Sequence, residues 1–165
     1  WFVNHQDYYD SYDRQQPKVY LGEYASRGKD ALDNALAEGI HLCNVERNGD
    51  VVEMASYAPL LSKDGYSNWS PDMIYFNNNK VRASQSYEVQ KMFSVHAGDN
   101  YVESKLDLPA SLRRYVGISV VKDSKSGKTW LKVVNALPCK LKLKLSGLSH
   151  QEIAIDARKY NVWPL

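Results

Sequence analysis

The chain has 165 residues, enough for one domain or two small ones. Hydrophobic residues make up 44% and charged residues 24%, the proportions of an ordinary globular protein, and no apolar run of membrane-spanning length is present. The net charge of +2 is split: residues 1–97 carry 9 basic and 13 acidic groups, and residues 98–165 carry 12 basic and 6 acidic, with no motif that would turn the excess into a nucleic-acid site. Residues 1–16 are polar and aromatic and read as an irregular or helical lead-in. Val19-Tyr20-Leu21 is a short β-prone run with Pro17 before it, where a missing N–H does no harm. Gly22 then lets the backbone bend or approach another group closely. Glu23 follows at once, and Gly28 leads into a helical pattern. Strand, carboxylate, loop and helix in that order is how a (β/α)-barrel enzyme presents a catalytic residue. On spacing alone, Glu23 also reads as a surface carboxylate at a strand end.

Asp30 is a suitable N-cap for the helix, and Ala31, Leu32, Ala35, Leu36, Gly39, Ile40 and Cys43 recur at helical spacing. The stripe is rich in small residues, which suits close packing on a sheet. Asn48-Gly49 supplies residues tolerant of the left-handed cap conformation. Val51–Ala55 is the next strand, so a βαβ unit with a parallel pair is expected, buried on both faces. Residues 56–80 hold little regular structure beyond Met73–Phe76, although Tyr57, Tyr66, Trp69, Tyr75 and Phe76 argue against disorder. Ser84–Ala97 reads as a helix terminated by Gly98. After it the period changes to short β-rich runs at 115–121, 129–134, 141–145 and 153–155, the spacing of an antiparallel sandwich. Leu131, Val133, Leu141, Leu143 and Leu145 are expected to point inward, with Lys132, Lys140, Lys142 and Lys144 in water.

Twelve tyrosines and four tryptophans are many for this length. Rings of this kind fill cores and also line carbohydrate sites. Cys43 falls on the apolar side of the first helix as a buried free thiol, and two cysteines in separate segments make no disulfide framework. The four histidines are scattered, so no metal site and no cofactor is expected. The chain starts at Trp1-Phe2 without an initiator Met and reads as a piece of something longer.

Pro17–Ala25, with Glu23 inside it, is similar to the segment that carries the catalytic nucleophile of the family 51 α-L-arabinofuranosidases among the glycoside hydrolases. The resemblance continues through Ala35–Glu38, Glu46–Asp50, Met54–Leu60, Trp69–Phe76 and Ser86–Ser94, in the family's order. It covers most of residues 17–98; residues 99–165 match more weakly. It implies an α+β fragment: the last two βα units of a (β/α)₈ barrel over residues 1–98, then an antiparallel β-sandwich over residues 99–165. Val19–Leu21 would be the seventh barrel strand and Val51–Ala55 the eighth.

The activity implied is retaining hydrolysis of terminal arabinofuranosyl groups, which needs two carboxyl groups about 5–5.5 Å apart. Glu23 corresponds to the nucleophile. As a nucleophile it should be ionised, among donors and outside any dry pocket. The family's acid/base Glu follows an Asn on the fourth strand, and this chain contains no Asn-Glu pair, so the isolated chain is expected to be inactive. Many members place a Gln at the end of the eighth strand, where Pro59 stands here; Tyr57 and Trp69 are the substrate-binding candidates. The partner implied is an arabinose-containing carbohydrate, with no nucleic acid and no membrane. A homo-oligomer is left open, and the substrate class points to a secreted or periplasmic protein. Two other readings stay open at this point: a non-catalytic carbohydrate-binding or structural sandwich, and an unrelated α/β domain whose Glu23 has no chemical role.

Overall fold

The computed structural model describes residues 1–28 and 31–165. A 3-10 turn at Phe2–Asn4 and a run of tight turns lead to β1 (Val19–Tyr24). Arg14 organises the lead-in: its guanidinium donates to the Tyr12 carbonyl and to Asn48 Oδ1, both at 2.7 Å, and pairs with Asp50 at 3.1 Å. Helix α1 (Ala31–Arg47) follows; the expected N-cap, Asp30, lies outside the described residues.

The expectation of a left-handed cap at Asn48-Gly49 fails, because neither residue has a positive φ. The helix end is closed by side chains instead. Asn48 Nδ2 donates to the Asn44 carbonyl at 3.1 Å and to Asp10 at 2.7 Å, and Arg47 pairs with Asp10 at 3.0 Å. Strand β2 (Val52–Tyr57) then pairs parallel with β1, with Leu21 opposite Ala55 and Tyr24 opposite Tyr57. The expected βαβ unit is present, but it is not buried on both faces. Tyr20 and Met54 are 59% and 57% exposed, because the packing of α1 covers only the other side of the pair.

Residues 56–80 hold more structure than their composition indicates. Strand β3 (Leu61–Lys63) pairs parallel with β4 (Ile74–Phe76), which pairs antiparallel with β5 (Val81–Ala83). Helix α2 (Gln85–Val95) is capped by Ser84, whose hydroxyl accepts from Tyr87 N at 3.2 Å. The helix ends two residues before Ala97, and Gly98 is not its terminator. Gly98 is needed because a Cβ there would stand 2.7 Å from the Lys122 carbonyl group.

The rest is mostly β: β6 (Asn100–Tyr101), a short helix α3 (Ala110–Arg113), then β7 (Val116–Lys122), β8 (Thr129–Asn135), β9 (Leu141–Lys144), β10 (Glu152–Ile155) and β11 (Lys159–Pro164). An antiparallel sheet runs in the order β11-β8-β7-β6, and β9 pairs antiparallel with β10. Val116, Val120, Leu131 and Val133 pack against Ile153 and Ile155 of the second sheet, with Leu141, Leu143 and Leu145 at the margin. That face is the expected sandwich core, and Lys140, Lys142 and Lys144 are exposed as expected.

Lys132 is the exception. It is fully buried, donates to Glu46 of α1, and lies 4.8 Å from the Phe93 ring centroid. The alternation rule assumes one wet face, and here α1 and α2 cover the second face of the sheet, with Val134 packed among Leu36, Ile40, Val89 and Phe93. The small stripe of α1 permits this approach: a Cβ on Gly39 would sit 3.0 Å from the Val134 side chain. Overall the chain is a mixed helix-and-sheet fold, rich in β. No described helix is long and apolar enough to cross a membrane.

Candidate active site

Glu23 is the fifth residue of β1 and is exposed. Its direction follows from a break in register. From Leu21 to Tyr24 β1 uses one residue more than β2 uses from Ala55 to Tyr57. A bulge of this kind re-aims a side chain and increases local twist. Gly22 makes no close approach, since a Cβ there would meet only the Tyr20 ring, at 3.9 Å; its place is within the bulge. Beyond the bulge Tyr24 turns into the core, and its hydroxyl donates to Gln90 of α2 at 2.6 Å. Burial holds that phenol well above its usual pKa. Glu23 is thus outside any dry pocket. Among the described residues no hydrogen-bond donor reaches its carboxylate.

The backbone after Glu23 is pinned from α1. Glu38 Oε1 accepts from Ser26 N at 2.9 Å. Asn34 Oδ1 accepts from the Ser26 hydroxyl at 2.9 Å and from Gly28 N at 2.6 Å, and Asn34 Nδ2 donates back to the Gly28 carbonyl at 3.0 Å. The contact needs Gly28, because a Cβ there would stand 2.8 Å from Asn34 Oδ1. Between the two anchors Arg27 reaches outward, and its guanidinium stacks 4.2 Å from the ring centroid of Trp69. Trp69 remains 54% exposed, and Ser67 fixes its backbone: the Ser67 hydroxyl donates to the Trp69 carbonyl at 2.9 Å and accepts from Trp69 N at 3.1 Å.

Tyr57 ends β2 opposite Tyr24, with ring centroids 5.7 Å apart. Its hydroxyl points inward, toward Glu38 and Ser86, but stops short of hydrogen-bond geometry. Burial pushes this phenol up to about 12. Of the three residues singled out in sequence, Glu23 and Trp69 therefore present themselves at the surface, whereas Tyr57 offers its ring and keeps its hydroxyl inside. Sequence reasoning did not single out Arg27, Asn34 or Glu38 as site residues. A carboxylate inside an apolar helical stripe was the available signal for Glu38.

Among the described residues no group of three His, Cys, Asp or Glu side chains is placed to hold a metal ion. Cys43 is buried, and burial pushes its thiol up, which makes it unreactive.

A family model for the C-terminal domain of α-L-arabinofuranosidases matches residues 8–162. An extracellular exo-α-L-arabinofuranosidase of Streptomyces chartreusis is 48% identical over 123 residues, which is 72% of this chain and 15% of that protein. α-L-Arabinofuranosidase 1 of Arabidopsis thaliana is 41% identical over 102 residues, 59% of this chain and again 15% of the relative. The chain thus spans about 15% of the length of these curated relatives. Among solved structures, an arabinose-bound GH51 α-L-arabinofuranosidase aligns with a TM-score of 0.78 at 25% identity, over 100% of this chain and 32% of that one. SrfJ of Salmonella typhimurium, 12% identical with a TM-score of 0.71 over 99% of this chain and 38% of that one, shares the fold.

Proposed function

The chain belongs to the family of α-L-arabinofuranosidase C-terminal domains, and from that premise we propose that it is the C-terminal part of a retaining glycoside hydrolase acting on terminal arabinofuranosyl groups. Residues 1–98 would contribute the last two βα units of a (β/α)₈ barrel and residues 99–165 a β-sandwich. Glu23 is the nucleophile. It attacks the anomeric carbon, a covalent glycosyl-enzyme forms, and water resolves it with help from an acid/base carboxyl supplied by the rest of the enzyme. The exposed rings of Trp69 and, from the wall, Tyr57 would line the sugar site, since a flat apolar face suits the C–H face of a sugar. The substrate is an arabinose-containing polysaccharide or oligosaccharide. The name of the Streptomyces relative supports a secreted or periplasmic location.

The observation that carries the reading is the placement of Glu23 at an exposed bulge near the C-terminal end of a parallel strand. That is the end at which barrel enzymes of this architecture hold their chemistry. The packing of α1 on β7 and β8 means that the two proposed parts share a core, so they would form one rigid body and not two beads on a linker.

An aryl arabinofuranoside assay tests the proposal. In the complete enzyme, Glu23→Ala should leave the fold intact and lower turnover by several orders of magnitude. The isolated 165-residue chain should be inactive, because positioning by the remaining loops is worth roughly 7–11 kcal/mol. Near-normal hydrolysis by full-length Glu23→Ala removes Glu23 as nucleophile. Sugar affinity that follows the sandwich face and ignores Glu23 would point instead to a non-catalytic binding module.

A further inference from the structure

Glu38 is a buried carboxyl group in the middle of α1. It is fully buried on α1, it has apolar neighbours one turn away, and its second oxygen, Oε2, makes no hydrogen bond among the described residues. A buried carboxyl group is costly unless it is hydrogen-bonded, so the groups around Glu38 are the point of interest. Oε1 accepts from Ser26 N, three residues beyond Glu23, and the hydroxyls of Tyr57 at the end of β2 and Ser86 of α2 lie beside the carboxyl group. A single side chain therefore meets the chain after the first strand, the end of the second strand and the start of the second helix. Asn34, one helical turn earlier and also buried, holds Ser26 and Gly28 in the same way.

We propose that Glu38, together with Asn34, is a positioning residue for the Glu23 carboxylate: the two fix the backbone from Ser26 to Gly28 and so set the direction in which the bulge delivers Glu23. The inference rests on the reading of Glu23 as nucleophile. Glu38 acts by reach and by hydrogen bonding, and it does not need a charge. Burial raises its pKa, which favours the neutral carboxyl, and a neutral carboxyl can still accept from Ser26 N through Oε1. A glutamine has the same reach and the same acceptor–donor pair. An aspartate keeps the carboxyl group but is one methylene short of Ser26.

The test is a comparison of Glu38→Gln, Glu38→Asp and Asn34→Ala in the complete enzyme, with an aryl arabinofuranoside as substrate and turnover referred to the folded fraction read by circular dichroism. The folded fraction is independent of the glycosylation step, so partial unfolding cannot imitate a loss of rate. Misplacement of the nucleophile lowers kcat and leaves ground-state binding alone. Glu38→Asp and Asn34→Ala should therefore lose roughly 10–100-fold in kcat with KM within about threefold, and Glu38→Gln should stay within about threefold of the parent. If Glu38→Asp does not fold, Asn34→Ala reads the same loop. Parental kcat in both shortened variants, or a folded Glu38→Gln as slow as Glu38→Asp, overturns the positioning role. Glu23→Ala is run alongside: if it is inactive while the shortened variants keep parental kcat, only the positioning role falls. If Glu23→Ala hydrolyses normally, the nucleophile assignment falls and the positioning role falls with it.

Discussion

His41 on α1 is enclosed by rings: Phe2 stacks on it at 4.4 Å, and Tyr24, Trp1 and Tyr9 stand 5.5, 6.0 and 6.4 Å away. Neither ring nitrogen has a polar partner among the described residues, and burial lowers its pKa to about 4. The unfolded chain takes up a proton on this histidine near pH 6.5, while the folded chain resists until about pH 4. The resulting stability is present above pH 6.5 and is lost as pH falls toward 4, a loss of about 3 kcal/mol over that window. Glu38 works in the opposite sense. Its raised pKa means that folding binds its proton more tightly, so its contribution is present at low pH and disappears as pH rises. Urea unfolding of the wild type and of His41→Phe at pH 7 and pH 4 separates the two. The variant should lose about 3 kcal/mol less than the wild type on acidification; identical losses would refute the assignment. At this scale the sequence could place Glu23 through its neighbours, and it could not place His41 or Glu38. Both sit on a helix whose buried face is wider than an apolar stripe, and only the packing of Phe2 and α2 shows which polar residues fall inside.

At the scale of elements, the Glu46-Arg47-Asn48-Gly49-Asp50 stretch shows why a motif can be specific and still not be chemical. Arg47 and Asn48 grip Asp10, Asp50 holds Arg14, and Glu46 crosses to the sheet. The last contact is a buried ion pair: Lys132 and Glu46 have side-chain exposures of 0% and 18%, and Ser119 Oγ donates to the second Glu46 oxygen at 2.5 Å. Burial pushes the Glu46 carboxyl up, against the opposing pull of Lys132 and Ser119. A pair of this kind contributes little net stability but is expensive to break on one side only. Lys132→Met should cost about 3–5 kcal/mol in urea unfolding, and Lys132→Met combined with Glu46→Leu should recover most of that loss. Equal losses in the single and double variants would mean that Glu46 is not dependent on Lys132. The long elements α1, α2, β7 and β8 were legible because their periods persist over many residues. Strands β3 and β5 were not, since three residues carry no alternation, and neither was β11, whose Pro164 reads as a stop. Lys132 was misassigned for a related reason: the Leu-Lys alternation of β9 is truly half wet, while the same pattern in β8 lies under a helix layer that belongs to a different part of the sequence.

Over the whole molecule, protection from solvent is unevenly distributed between the β-rich C-terminal sheets and the β1–β2 pair. Strand β8 is hydrogen-bonded on both sides, by β7 and β11, and its sheet is covered by helices on one face and by β9 and β10 on the other. The β1–β2 pair is a sheet of two strands with two free edges and one bare face that exposes Tyr20 and Met54, and nearby Leu60 and Leu61 are 50% and 60% exposed. Two-stranded sheets are marginal in water, and open edges with apolar flanks invite association. Amide exchange of the isolated chain should therefore be fastest by a wide margin in β1, β2 and β3–β5. It should be intermediate in α1, which is fixed from behind by Val134 and Val89, and slowest in β7 and β8. Sedimentation on the same sample tells whether self-association props the open pair. Exchange in β1 and β2 as slow as in β8, in a sample that sediments as a monomer, would mean that the pair is stable without further strands, and the proposed barrel layout would lose its main physical argument.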